Sequence, residues 1–372
     1  MTFGYFALWF AMCLAAYALL FAAQIPLRRK CRPVLRIIVW VVKVAMTVGV
    51  AYVVMVVPSW FSSRGVYPTV AVYAALLGDV ISDLIMIPVS MIRNRRSRND
   101  RPYIAINLVV SMIVTVAVVL YGTINMQVVR RNEVSYRSEK ITQAHKFVFV
   151  SDVHMGAVQS SRTIACAIER IRLENPDFVV LGGDIVDEFT SKGEMWAIFQ
   201  MFGNLGVPTY YVYGNHDRQP NPERAGGPFY TPQELEEAIK GAGIRIIDDG
   251  IELIGDDLVM LGREAYNEVS RKSVGELPTV PEGAFLLCID HSPYEWEDIR
   301  ETGADLQVSG HSHAGQFFPM QLVYELAGYI AYGKYKVGDT DVFVSSGFGG
   351  WGVPFRSEAR SEYVVVNLLP AE

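Results

Sequence analysis

Four apolar stretches of membrane-spanning length occupy the first 130 residues, at about Tyr5–Leu27, Val34–Val57, Pro68–Ile92 and Tyr103–Asn125. Each reaches the roughly 20 residues that carry a helix across about 30 Å of hydrocarbon. A water-soluble core has no use for four such runs in succession, so the expectation for residues 1–130 is an all-α four-helix transmembrane region. The first run does not read as a cleaved signal: nothing basic precedes it, it is too long, and no small-residue cleavage site follows.

Charge divides the chain at the same place. Residues 1–130 carry 13 Lys/Arg and 3 Asp/Glu, whereas residues 131–372 carry 20 Lys/Arg and 36 Asp/Glu. A basic apolar half followed by an acidic half predicts a membrane region, a linker over 131–145 and a water-soluble domain over 146–372. Arg28, Arg29, Lys30 and Arg32 fall between the first two runs, and Arg93, Arg95, Arg96, Arg98 and Arg101 between the last two. Basic short loops stay cytoplasmic, so the reading is a multi-pass cell-membrane protein whose soluble domain is extracytoplasmic. Lys43, Asp79 and Asp83 fall within the runs; Lys43 and Asp83 lie at matching depth, and an ion pair between antiparallel helices is expected to lock the bundle, with a proton or ion relay as the second reading. The four cysteines (Cys13, Cys31, Cys166, Cys288) form no CxxC pair, which points away from a cysteine-rich metal site or a disulfide scaffold.

From Lys146 onward, short β-rich runs alternate with amphipathic helical ones, the pattern of an α/β or mixed domain. Expected strands are Phe147–Ser151, Phe178–Leu181, Tyr210–Tyr213, Leu258–Leu261, Phe285–Ile289, Leu306–Ser309, Val342–Ser345 and Tyr363–Leu368. Expected helices are Ser161–Leu173, Lys192–Leu205, Pro232–Gly241 and Tyr294–Glu301. Polar motifs follow the strands: Asp152-Val-His154, Gly183-Asp184-Ile-Val-Asp187, Gly214-Asn215-His216-Asp217, His291, and Gly310-His311-Ser312-His313. Five of the six histidines belong to this set, and only His145 lies outside it. Two residues apart on an extended strand share a face, so Asp152 and His154 are expected to point at one metal, as are His311 and His313. Carboxylate, imidazole and amide oxygen together suit Mn²⁺, Fe or Zn²⁺, and the abundance of imidazole disfavours Mg²⁺. Burying so many polar groups without a cation would carry a large desolvation cost.

The ordered set DxH, GDxxD, GNHD, H, GHxH resembles the calcineurin-like metallophosphoesterase superfamily over about residues 146–369. The tail Gly310–Gln316, with Ser346–Gly349 and Pro354-Phe-Arg356, is similar to its membrane-associated bacterial branch, with Ala314 where that branch often has glycine. The resemblance implies a four-layer αββα sandwich with two divalent metals at the strand ends. It implies Asp152, His154, Asp184 and His313 around one metal, and Asp184, Asn215, His291 and His311 around the other. His216 would contact the phosphate or leaving group and act as general acid, oriented by Asp217, while Asp187 would hold the turn or a hydrogen bond behind the ligands. Two close cations generate hydroxide near neutral pH and clamp phosphoryl oxygens, so the expected activity is hydrolysis of phosphate mono- or diesters, or of pyrophosphate, through a metal-bridging hydroxide.

The Pro/Gly-rich loop 218–231 is expected to cover the site, with Arg218 and Arg224 as candidate substrate-binding cations. Phe317, Phe318, Met320, Leu322, Tyr324 and residues 329–335 read as sheet core, with a surface for acyl chains or the bilayer as the second reading. Tethering to a membrane makes an envelope lipid or lipid-linked phosphoester a candidate substrate. Nucleic acid is not expected as a partner of so acidic a domain. A non-catalytic membrane sensor or scaffold that reuses the fold is the alternative, and the full set of motif ligands argues against it.

Overall fold

In the computed structural model the described residues are 33–56, 73–84 and 101–371. They fall into two compact units, one built from residues before Asn125 together with Phe317–Met320, the other from the remainder.

Among the described residues the first unit holds three helices: α1 (Pro33–Val56), α2 (73–84) and α3 (Arg101–Gln127). These overlap the second, third and fourth expected spans; the first span and the flanks of the third lie outside the described residues. Among the described residues only Val109–Gln127 is long and apolar enough to cross a membrane, with a shorter apolar run at Trp40–Val50. The four-span expectation is thereby reduced to one such helix among the described residues. Inside α1 and α2, buried Lys43 pairs with Asp79 and, at 2.6 Å, with Asp83. Both carboxylates, rather than Asp83 alone, neutralise the lysine. Phe317 also belongs to this unit and not to a sheet, its ring edge-on to Tyr73 at 5.4 Å, while the Tyr73 hydroxyl donates to the Phe318 carbonyl.

Two six-stranded sheets form the second unit. The first runs β1 (Arg130–Ser138), β12 (Glu362–Pro370), β2 (His145–Val150), β3 (Phe178–Gly182), β4 (Thr209–Val212), β5 (Arg245–Ile246). The second runs β10 (Gly333–Val337), β11 (Thr340–Val344), β9 (Leu306–Ser309), β8 (Phe285–Ile289), β7 (Leu258–Gly262), β6 (Gly250–Ile254). Strands β2, β3 and β4 are mutually parallel, as are β7, β8, β9 and β11, so each sheet has a common carboxyl end.

The two-residue period of each central strand sorts its side chains into layers. Phe147, Phe149, Phe178 and Val180 share a core with Met260, Leu287 and Leu306, the space between the sheets. Val148, Val150, Val179 and Leu181 face the opposite way, against α4 (Ser161–Leu173), α5 (Lys192–Gly203) and α6 (Pro232–Gly241). Those helices start where the sequence supplies side-chain caps: Ser160, and the Ser191/Glu194 and Thr231/Glu234 capping boxes. The outer face of the second sheet is more thinly covered, by α7 (Trp296–Thr302) and the loop carrying Leu277 and Val280. Residues 131–145, read as a linker, are instead largely strand: β1 is an edge strand paired in parallel with β12 from Arg130 to Ser138.

Candidate metal centre

Every motif sits just past the carboxyl end of a parallel strand: Asp152 and His154 after β2, Asp184 after β3, Asn215–Asp217 after β4, His291 after β8, His311 and His313 after β9. Their convergence does not use the strand pleat. The strands have already ended, and Asp152, His154, Asp184, His311 and His313 all hold positive φ, between 47° and 70°. Non-glycine residues rarely adopt this left-handed region, and when they do the surrounding structure must hold them there. Left-handed turns, not an extended face, therefore aim each Asp-x-His or His-x-His pair inward. The loops also need close approach: a Cβ on Gly310 would lie 2.3 Å from Asp152 Oδ2, and one on Gly214 2.3 Å from Asp184 Oδ1.

Two groups result, Asp152/His154/His313 and Asp184/His291/His311, each with its candidate ligand atoms within 4.8 Å of one another. Asp184 Oδ2 stands between them, 3.0 Å from His291 Nε2 and 3.9 Å from His154 Nε2. The ring nitrogens are sorted by what lies behind them. His154 Nδ1 is 3.1 Å from the Asp187 carboxylate and His291 Nδ1 is 2.8 Å from the Gly182 carbonyl. Both partners accept only, so in each ring Nδ1 carries a hydrogen, and in the neutral ring Nε2 is the nitrogen that keeps a lone pair. His154 Nε2, His291 Nε2, His313 Nδ1 and Asn215 Oδ1 are all buried without a hydrogen-bond partner. Four orphaned buried atoms in one place would be costly for a packed core and are what cation ligands require, so these residues fit a metal pair.

Electrostatics agree. Burial disfavours the charged form of both rings, yet Asp184 and Asp152 lift His291 to about 10, and Asp187 and Asp184 lift His154 to about 9. Burial and the neighbouring rings push His311 down to about 3 and His313 well below its ordinary range. The carboxylates thus attract positive charge, and without a metal protons supply part of it.

Three acids behind these groups have separate tasks. Asp187 orients His154 and accepts the Phe189 N–H at 2.8 Å, which combines the turn and the hydrogen bond expected of it. Asp217 was expected to orient His216. Instead its carboxylate accepts four backbone N–H groups, from Gly214 (2.6 Å), Asp184 (2.9 Å), Ile185 (2.9 Å) and Val186 (3.2 Å). It fastens the β3 and β4 loops together, since a buried carboxylate amid so many converging amides cannot also reach the ring. The His216 ring is held by Glu188, which receives Nδ1 at 2.9 and 3.1 Å. Glu188 lies one residue beyond the GDxxD motif, and nothing in the sequence distinguishes it from a surface acid.

Arg218 is committed elsewhere too. It makes two 2.8 Å hydrogen bonds to the buried Glu264 carboxylate and lies 3.7 Å above the Tyr213 ring, so two of its five N–H donors are engaged by the protein. The Arg224 side chain lies outside the described residues. Tyr266 and Tyr294 stand edge-on to His311 at 5.5 and 5.4 Å, and Trp351 lies 5.4 Å from His216, an aromatic surround that the motifs did not indicate.

Two sheets with a paired carboxylate–imidazole site at their carboxyl ends define a candidate two-metal domain. Residues 145–315 match the model of the calcineurin-like phosphoesterase family. An uncharacterized metallophosphoesterase of Helicobacter pylori (strain J99) is 29% identical over 247 residues, 62% of this chain and 62% of its own. A transmembrane protein with metallophosphoesterase domain from Danio rerio is 28% identical over 291 residues, 71% of this chain and 63% of its own. The chain thus spans less than two thirds of the length of these relatives. A solved dimetal phosphatase from Danio rerio aligns over 55% of this chain and 87% of its own, at 12% identity and a TM-score of 0.35.

Proposed function

We propose that this chain is a membrane-anchored phosphoesterase that uses two divalent metal ions, with Asp152, His154, Asp184 and His313 holding one and Asp184, Asn215, His291 and His311 the other. The observation that carries this reading is the pair of buried Asp/His groups with unpartnered ring nitrogens. When bound, such ions lower the pKa of water and neutralise charge on the phosphoryl group, and the imidazole-rich donor set favours Mn²⁺, Fe or Zn²⁺. The chain's own residues do the rest. Asp187 and the Gly182 carbonyl fix which nitrogens face the metals, and Asp217 keeps the loops that carry the ligands in register. The His216 backbone N–H donates to Asp184 Oδ1 at 2.8 Å, which seats the ring beside the site, where it acts as general acid to the leaving alkoxide.

The multi-pass anchor with an extracytoplasmic catalytic domain, and an envelope lipid or lipid-linked phosphoester as substrate, belong to the same proposal. In their support, α3 leaves Val109, Met112, Ile113, Val116, Leu120 and Ile124 exposed along its length, a dry surface only in lipid. In the second unit, Leu322, Leu326 and Tyr329, all exposed, follow soon after His313. The named transmembrane relative accords with such an anchor.

The test is reconstitution. Full-length protein in detergent is stripped with chelator, and Mn²⁺, Fe²⁺, Zn²⁺ or Mg²⁺ is restored singly before assay on p-nitrophenyl phosphate, bis-p-nitrophenyl phosphate and a phospholipid panel. Metal-dependent release is expected, and the diester-to-monoester ratio assigns the subclass. Two bound metals with no turnover on any of these would sink the hydrolase reading; Phe317→Ser/Phe318→Ser sparing lipid substrates would sink the lipid one.

A further inference from the structure

We infer that Glu188 is the positioning residue of the reaction: it fixes the His216 ring so that only Nε2 is left to address the leaving group. The inference rests on the hydrolase reading above and on how three neighbouring carboxylates divide their work. Asp217 is saturated by four backbone amides. Asp187 serves His154, the Phe189 N–H and Thr190. Glu188, fully buried, places both carboxylate oxygens within 3.1 Å of His216 Nδ1. A carboxylate accepts, so Nδ1 bears the hydrogen, and a ring tethered through Nδ1 has Nε2 as its one remaining polar atom. The ring is steadied further by neighbours on two sides, His154 at 5.6 Å and Trp351 at 5.4 Å between centroids. Orientation of this kind is worth much in a proton transfer, because the donor must lie within hydrogen-bond reach of the departing oxygen.

Glu188 is also held from behind. The segment that carries it is pinned where Thr190 Oγ1 accepts the Asp187 N–H at 2.9 Å, and Asn221 Nδ2 approaches Glu188 Oε1 at 3.4 Å. A glutamine here retains an oxygen that accepts from Nδ1, whereas an alanine leaves the ring untethered.

The experiment compares Glu188→Ala and Glu188→Gln, each alone and combined with His216→Ala, in the metal-reconstituted full-length protein. Metal content, kcat and KM are measured on phenyl and p-nitrophenyl phosphates, which share a phosphoryl group and differ in the basicity of the leaving oxygen. Glu188→Ala is expected to lower kcat roughly 10- to 100-fold on the phenyl ester, part of the 10²–10⁴ range of positioned acid catalysis, and less on the nitrophenyl ester. Metal content and KM stay as in the parent, Glu188→Gln recovers most of the loss, and Glu188→Ala adds nothing in the His216→Ala background. A loss of the same size in that background, or a loss of bound metal, overturns the inference. ¹⁵N-histidine spectra decide the same point without turnover: the parent shows His216 protonated at Nδ1, and an identical His216 tautomer and line shape in Glu188→Ala would refute the tether. Absence of turnover in the parent would count against the hydrolase reading alone.

Discussion

The two ends of the parallel strands use the same residue types to opposite effect. At the amino end, His145 Nε2 donates to Asp257 Oδ1 at 2.7 Å, while Oδ2 accepts from the Thr142 N–H (2.6 Å), the Thr142 hydroxyl (2.8 Å) and the Gln143 N–H (3.1 Å). At the carboxyl end, one ring nitrogen each of His154, His291 and His313 is buried without a hydrogen-bond partner. The first arrangement is finished as it stands and clasps a loop onto a strand. The second is complete only with cations. A histidine's place in a motif distinguishes these cases less directly than whether its polar atoms are satisfied.

The strongest way to break the contrast is at Asp184, the carboxylate between the two groups. Asp184→Ala is expected to abolish binding of at least one metal, read by elemental analysis, and to lower kcat/KM on the order of 10³-fold or more, taking the loss of one transition-state charge stabiliser as a floor. His216→Ala should keep its metal and lose turnover. Equal metal content in the two variants would contradict the division of roles.

Next in size is the pH dependence of metal loading. In the metal-free protein Asp184, Asp152 and Asp187 hold His154 at about 9 and His291 at about 10 against the opposing effect of burial. Below pH 9 both rings carry a proton that a metal must displace, so affinity rises as pH rises, by at most about 100-fold per unit for two protons, and levels off above about pH 10. Competition titrations against a chelating indicator at pH 6, 7 and 8 measure the slope. A flat profile would mean that these nitrogens do not hold the protons, and the two ends would no longer differ as described.

How far the sequence discloses this arrangement depends on burial. All eight expected strands of the second unit are present, and each lies inside a sheet, apolar because both faces are covered. The four unpredicted strands, β1, β5, β6 and β10, are the four sheet edges. There half-exposed patterns such as Arg130–Ser138 replace apolar runs with charges, which protects an edge but removes the signal. The candidate ligands were readable because their chemistry is rare and their order fixed. Their supports were not: Glu188 and Asp217 are ordinary acids until the fold shows which N–H each one meets.

Arg218 sharpens the comparison, because it lies at the site end yet belongs with the satisfied groups. Arg218→Ala strands the buried Glu264 carboxylate and removes the stack on Tyr213, a cost of about 3 kcal/mol, at the low end for a broken buried pair because the guanidinium is partly exposed. Chemical denaturation should show this loss, with KM for small phosphoesters within about threefold of the parent. A large rise in KM with unchanged stability would return Arg218 to the substrate.

The smallest expected effect falls at His145. Removing its ring takes one of four hydrogen bonds from Asp257 and leaves the loop amides of Thr142 and Gln143 in place, so His145→Ala should cost about 1–3 kcal/mol of stability. Metal content and kcat/KM should stay within about twofold of the parent. The test is demanding because one strand joins the two ends: β2 begins at His145, and Asp152 follows two residues after its last residue, Val150. A shift of β2 along its axis would move Asp152 against the His311 N–H that both of its oxygens receive at 3.1 Å. Loss of metal in His145→Ala would therefore show that the clasp sets the register of the site. Unchanged loading would show that the left-handed turns and the Asp217 amide cluster hold the ligands without help from the far end.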